Sequence, residues 1–170
     1  MKVLVLTLCA AGALFAQAND ARFEAGLQIG ALDEREALGE KPLIAGGRAG
    51  VRVWRFVSAE AEINRFPIGG AISNFPATEF LFGARLAYDT GPFGLFATVR
   101  PGFLRFDDTS FKNPALGTLR EIILGVGLAG YSRHHIFVRA DFGDAIVDYA
   151  NAGYGVRHQF RGTFGLGVWF

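Results

Sequence analysis

The chain has 170 residues, with 17 Lys plus Arg against 16 Asp plus Glu and a formal charge of +1. That balance excludes the basic patch on which nucleic-acid binders depend, and the length suits one domain. Hydrophobic residues make up 51%, with 23 Gly and 17 Phe, whereas Lys2, Lys41 and Lys112 are the only lysines. The positive charge is therefore nearly all arginine and recurs inside apolar runs, as expected of paired interior groups more than of a solubilising surface.

Residues 1–18 read as a signal peptide. Lys2 supplies the positive charge, Val3 to Phe15 is apolar or small apart from Thr7, and Ala16-Gln17-Ala18 fits the small-x-small cleavage pattern. The apolar stretch is short for a membrane helix, which needs roughly 20 residues. Cys9 lies inside it, so a chain cleaved after Ala18 has no cysteine, and its formal charge falls to zero with the loss of Lys2. Such a protein enters an oxidising compartment without disulfides. Residues 19–170 remain as the folded domain.

From there, period-two alternation dominates. The first strand sets Phe23, Ala25, Leu27, Ile29 and Ala31 against Arg22, Glu24, Gly26, Gln28 and Gly30. Residues 32–44 follow as a polar loop; the acidic stretch Leu32 to Leu38, the best helical candidate, belongs to it. A second strand over 45–56 turns near 57 into a third over 58–66. Residues 67–77, with Pro67, Gly69, Gly70 and Pro76, form the second long loop. A fourth strand at 78–88 reaches the turn Asp89-Thr-Gly-Pro92. The fifth, over 93–106, contains Pro101, which predicts a bulge or break because proline has no N–H for the ladder. Residues 107–117 make the third loop, and strands at 118–130 and 136–149 flank the turn 131–135, with Asp144 and Asp148 blurring the later register. Residues 150–158 are the fourth loop, before a terminal strand ending Arg161-Gly-Thr-Phe-Gly-Leu-Gly-Val-Trp-Phe170.

Long and short connections thus alternate, which predicts an all-β, eight-stranded antiparallel up-and-down barrel. With an even strand number both ends of the sheet lie at the turn end, the periplasmic side of an outer membrane. Unpaired backbone groups are not tolerated in hydrocarbon, so a closed sheet is the strand architecture that spans it.

One face of each strand is nearly free of charge. The other collects Arg22, Glu24, Arg48, Arg52, Glu60, Glu62, Glu79, Arg85, Arg100, Glu121, Arg139, Asp141 and Arg161, seven basic and six acidic groups. An arginine facing lipid at mid-depth costs roughly 2–4 kcal/mol, so these thirteen are expected inside, paired across the lumen. Interior glycines, among them Gly26, Gly50, Gly83, Gly125, Gly127, Gly165 and Gly167, leave room for long side chains. A barrel of this size holds side chains or one small ligand, so a plugged, salt-bridged lumen is expected over an open pore. Trp54, Phe56, Tyr88, Phe93, Tyr131, Trp169 and Phe170 cluster near the turns and suit an interfacial aromatic girdle.

Other chemistry is thin. Adjacent His134 and His135 sit in a turn, and His158 shows no partner along the chain; no metal-ligand spacing and no cofactor motif is present, so neither is expected. For a lipid-modifying enzyme the nearest nucleophile, base and acid are Ser132, His134 and Asp89, at the turn end and remote from substrate in the outer leaflet. A narrow channel for ions or small solutes is the other alternative to a structural or surface-interaction barrel. The expectation is no enzymatic activity.

With these residues in place, the chain resembles the small eight-stranded outer-membrane barrels of the outer membrane protein A transmembrane-domain family. The likeness rests on Phe23-Glu-Ala-Gly-Leu-Gln-Ile-Gly30, Glu121-Ile-Ile-Leu-Gly-Val-Gly-Leu128 and Thr163-Phe-Gly-Leu-Gly-Val-Trp-Phe170. It implies a monomer in outer-membrane lipid, delivered by periplasmic chaperones and inserted by the barrel assembly machinery, with a ligand at the long loops. The terminal aromatic strand looks like that machinery's signal, which carries over to Phe164, Leu166, Val168 and Phe170. The rival fold is an exported soluble barrel around an apolar ligand, which would turn its polar face outward.

Overall fold

The computed structural model describes residues 22–33, 42–66, 76–90, 92–106, 118–150 and 155–170. The expected signal peptide and most of the four long connections, with the acidic stretch after Asp33, lie outside these residues. Eight strands follow in chain order: β1 (Phe23–Asp33), β2 (Leu43–Trp54), β3 (Val57–Phe66), β4 (Ala77–Thr90), β5 (Phe93–Phe106), β6 (Thr118–Tyr131), β7 (Ile136–Tyr149) and β8 (Gly155–Trp169). Each pairs antiparallel with its neighbour in sequence, and β1 pairs with β8, so the sheet is a closed barrel. Closure leaves no edge strand with unpaired backbone groups.

The seam is tied at its end by two backbone bonds. Phe23 N–H donates to the Phe170 carbonyl at 3.1 Å, and Phe170 N–H donates to the Phe23 carbonyl at 2.9 Å. The short connections that follow β2, β4 and β6 share this end of the barrel with the seam. The last of them is shaped by His135, whose φ of 62° lies in the left-handed region. Its ring packs on Trp169 at 4.5 Å, and its carbonyl accepts the Trp169 N–H at 2.9 Å.

Several strands outrun the alternation visible in sequence. β1 continues to Asp33 because Leu32 turns inward and is buried, and β2 begins at Leu43 so that Ile44 can join it. β8 starts at Gly155 and pairs with β7 along its whole length, from Tyr149↔Gly155 to Ile136↔Val168. Asp144 and Asp148 do not disturb that register. They stand on the outward face, where Asp144 Oδ2 meets His158 Nδ1 at 2.6 Å. His158 therefore has a partner, one supplied by the neighbouring strand.

Pro101 acts as its chemistry dictates. The β4–β5 ladder runs through Leu81↔Gly102, is interrupted, and resumes at Ala84↔Val99 without a slip, while Pro101 stays in register with Ile122 on β6. The result is a break with no added residue. Among the described residues the register shifts between Arg52 and Trp54, beside a two-residue turn.

Alternation places two chemically opposite surfaces on the sheet. The outer wall carries exposed large apolar side chains on every strand, including Leu27, Val53, Ile63, Phe82, Leu95, Val126, Val138 and Leu166. Trp54, Phe56, Tyr88, Phe93 and Phe170 ring the turn end on that wall. Tyr131 and Trp169 do not join them, since each shares parity with the inward residues of its strand; they line the turn-end mouth, where the Arg22 guanidinium stacks 4.4 Å from Trp169 and 4.9 Å from Tyr131.

Candidate functional site: the filled lumen

Three layers fill the interior. At the loop end an apolar cluster joins all strands but β8, with Leu32, Ile44, Phe66, Phe106, Leu119 and Tyr149 among its members. At the turn end a smaller cluster of Ala87, Phe96 and Ala129 packs with Tyr131. Between them lies a belt of charge. Isolated charges so deep would be very costly, and geometry must supply their partners.

The belt is built by spacing. Inward positions recur every second residue, so Glu60, Glu62 and Asn64 climb β3 as a ladder of acceptors, while arginines reach it from β2, β4, β5, β7 and β8. Near the turn end, Arg85 makes a bidentate contact with Glu24, Nη1 to Oε2 at 2.8 Å and Nη2 to Oε1 at 2.9 Å. Tyr131 donates its hydroxyl to the same carboxylate at 3.0 Å, and Ser58 Oγ lies 3.3 Å from Arg85 Nη2. Arg139 then bridges two acids: it donates through Nη1 to Glu60, and through Nε and Nη2 to Asp141 at 2.9 and 2.7 Å. Its guanidinium also lies over the Phe96 ring, 4.1 Å from the centroid, linking the belt to the apolar layer below.

Glu62 is the hub of the upper half. It takes Arg48 at 3.0 Å, Arg161 at 3.5 Å, Arg100 through Nη1, and the Gln28 amide at 3.0 Å. Gln28 passes the network on to Asn64 at 2.6 Å, and Asn64 donates to Glu79 at 2.6 Å. Arg161 Nη1 closes the circuit on both Glu79 oxygens at 2.7 Å. Arg48 spans the lumen to Asp141 at 3.1 Å. Glycines make the space: a Cβ on Gly46 would fall 2.1 Å from Asn64 Oδ1, and one on Gly127 would fall 2.3 Å from Phe96 Cζ.

Of the thirteen charged residues singled out in the sequence, Glu24, Arg48, Glu60, Glu62, Glu79, Arg85, Arg100, Glu121, Arg139, Asp141 and Arg161 are all buried inside the barrel. Arg22 and Arg52 are not in the belt. Arg22 stacks on aromatics at the mouth, and Arg52 pairs there with Asp89, both partly exposed. Inside, five arginines therefore meet six carboxylates. Glu121 meets the Glu79 carboxyl, while its Oε1 is buried without a hydrogen-bond partner in the described residues. Thr98 Oγ1, Thr163 Oγ1 and Arg100 Nε share that condition.

Sequence parity also puts Gln28, Asn64, Ser58 and Tyr131 on the inward face, but their uncharged side chains gave no reason to include them. Of the loop-end apolar layer, Leu32, Ile44 and Ala77 fall in stretches that read as loop, whereas the other members lie within the predicted strands as apolar residues on the otherwise polar face. Ser132, His134 and Asp89 do not assemble as a catalytic trio. Ser132 Oγ accepts the His134 backbone N–H at 3.2 Å, and Asp89 is committed to Arg52. Among the described residues no cluster of three metal-ligating side chains occurs.

This architecture defines a small eight-stranded antiparallel barrel with a salt-bridged interior, and solved small outer-membrane barrels share its fold. The N-terminal β-barrel domain of Pseudomonas aeruginosa OprF matches over 89% of this chain and 98% of its own, with a TM-score of 0.64 at 12% identity. Neisserial surface protein A matches over 88% and 95%, with a TM-score of 0.62 at 16% identity. Ail, the attachment invasion locus protein of Yersinia pestis, matches over 88% and 97%, with a TM-score of 0.55 at 12% identity. No protein-family model and no curated protein sequence matches the chain. At such identities the likeness is one of fold.

Proposed function

We propose that this chain is an outer-membrane barrel that spans the bilayer as a monomer and serves as a rigid scaffold, holding its four long connections at the cell surface to meet a ligand. One observation carries the membrane reading: the barrel is inside out. Arg85, Arg139 and Glu79 are 1% exposed, whereas Leu27 is 75% and Val126 62% exposed. In water such a wall would present an apolar surface far beyond what soluble monomers tolerate, whereas lipid matches it. The same parity argues against the soluble-barrel alternative, which needs the polar face outward.

The scaffold reading follows from the interior. Ion-paired arginines in the belt, with apolar layers toward both ends, support a plugged lumen over the narrow channel. Residues 1–18 act in this reading as a cleaved export signal. Phe164, Leu166, Val168 and Phe170, exposed on the outer face of β8, present an apolar strand to the assembly machinery. Outer-membrane fractionation with heat-modifiable migration in mild detergent tests localisation, and recovery as a soluble periplasmic protein overturns it. In planar bilayers the scaffold reading expects no steady conductance. Stable single-channel steps would transfer the function to transport.

A further inference from the structure

One property of the belt is used neither by a scaffold nor by membrane insertion: its formal charges do not cancel. Five arginines and six carboxylates are buried among the described residues. The partners of each acid single out the sixth. Glu121 of β6, 7% exposed, meets the carboxyl of Glu79 on β4, itself 1% exposed, and Glu121 Oε1 has no hydrogen-bond partner. Glu79 is fully engaged by contrast. Arg161 Nη1 donates to both of its oxygens at 2.7 Å, and Asn64 Nδ2 donates to Oε2 at 2.6 Å. Arg161 of β8 is the cation that acts on Glu121, and its Nη2 is drawn to Glu62 of β3 at 3.5 Å. The flanking strands bring no spare cation. β5 sets Gly102 opposite Glu121, with Arg100 two residues on and held by Glu62 and Asp141. β7 sets Val147 opposite, with Tyr149 two residues on. Arg48 of β2 is spent on Glu62 and Asp141, and β1 contributes the neutral Gln28.

We propose that the Glu79–Glu121 pair is a buried proton-binding site, in which Glu121 holds one proton at neutral pH, donates it to Glu79 and makes the belt electrically neutral. An ionised carboxylate only accepts hydrogen bonds, so two carboxyl groups bond to each other only when one is protonated. Two that share a dry site do not both ionise, and a buried carboxylate without a cation of its own is very costly. The three donor contacts on Glu79 select it as the ionised member, which leaves the proton on Glu121. The site depends on the closed interior alone and not on what the long connections meet. It is also an alkaline switch. Loss of the proton sets two negative charges against each other beside the one guanidinium of Arg161 and loosens the upper half of the belt. An unfolded glutamate is ionised at neutral pH, so folding takes up one proton here. The folding equilibrium therefore falls about tenfold per pH unit as pH rises, until the folded pair itself titrates.

The test uses the full chain folded in phosphatidylcholine vesicles, with heat-modifiable migration certifying each barrel as folded. Infrared spectra at neutral pH should show the C=O stretch of a protonated carboxyl. That band should move to lower frequency when the glutamates carry carbon-13, fade as pH rises, and be absent from Glu121→Gln. Urea titrations give the second readout. From pH 7 to pH 9 the wild-type folding equilibrium should fall about 10- to 100-fold relative to Glu121→Gln, whose amide keeps a donor toward Glu79 and does not ionise. A wild-type barrel without the band, a band that survives in Glu121→Gln, or equal pH slopes for the two proteins overturns the proton site. A wild-type midpoint that follows sodium concentration, with no such band, gives the pair to a metal cation and overturns it as well. Should Glu121→Gln fail to fold, the carbon-13 band of the wild-type barrel and its loss with rising pH decide the question alone.

Discussion

At the scale of single residues, the interior separates charges that hold one another from a charge that is tolerated. Arg139 has no exposed side-chain surface, bonds Glu60 and Asp141 at once, and covers Phe96. Arg139→Met strips two buried carboxylates of their main partner, and removing one member of such a group typically costs about 3–5 kcal/mol. A urea titration of the vesicle-inserted barrel should show the midpoint fall accordingly. Glu121 is the contrasting case, with an unpartnered Oε1 in a belt where acids outnumber arginines. Glu121→Gln keeps the shape and a donor toward Glu79, so its midpoint should stay within about 1 kcal/mol of wild type or rise. A loss as large as that of Arg139→Met would show that Glu121 carries a bond the belt depends on. These roles were half legible in the sequence. Parity assigns the face, and near-neutrality implies pairing. Which arginine meets which acid depends on strand stagger, which no local pattern encodes; Arg48 reaches Asp141 across 93 positions of chain.

At the scale of elements, strands are held in place by what their inward positions leave empty. Gly127 of β6 lies where a Cβ would stand 2.3 Å from both the Ala140 carbonyl and Phe96 Cζ. Gly127→Val must therefore displace a ring and a neighbouring strand, and overpacking of that kind costs about 1–3 kcal/mol. The band shift on heating should move to lower temperature, whereas Gly50→Ala, which meets nothing closer than 3.5 Å, should not move it. β8 carries the other element-level expectation. Phe170 exchanges two backbone bonds with Phe23 and exposes its ring on the outer wall. Phe170→Asp keeps the backbone bonds but removes the terminal aromatic, so reduced assembled barrel with more periplasmic degradation would assign the ring a role in recognition. Normal assembly would leave it as a wall residue. Strand existence and parity were readable because alternation is local. Strand ends were not, because Leu32, Ile44 and the start of β8 become strand only by packing on partners far along the chain.

For the whole molecule, the decisive property is the inversion of surfaces, and it ties the element count to the environment. An eight-stranded cylinder is narrow enough for side chains to fill, so this chain can place its charge inside only by neutralising it there. Filling and pairing are thus one requirement met twice, and the non-conducting scaffold proposed above rests on it. The sequence by itself determined the alternation, the eight strands with their long and short connections, and the face on which charge accumulates, since each depends on neighbours within a few residues. Only the tertiary structure decided the closed seam, the partners of the buried ions, and the two apolar layers that flank the charged belt. Those depend on register and stagger around a closed sheet, where residues distant in sequence become neighbours by geometry.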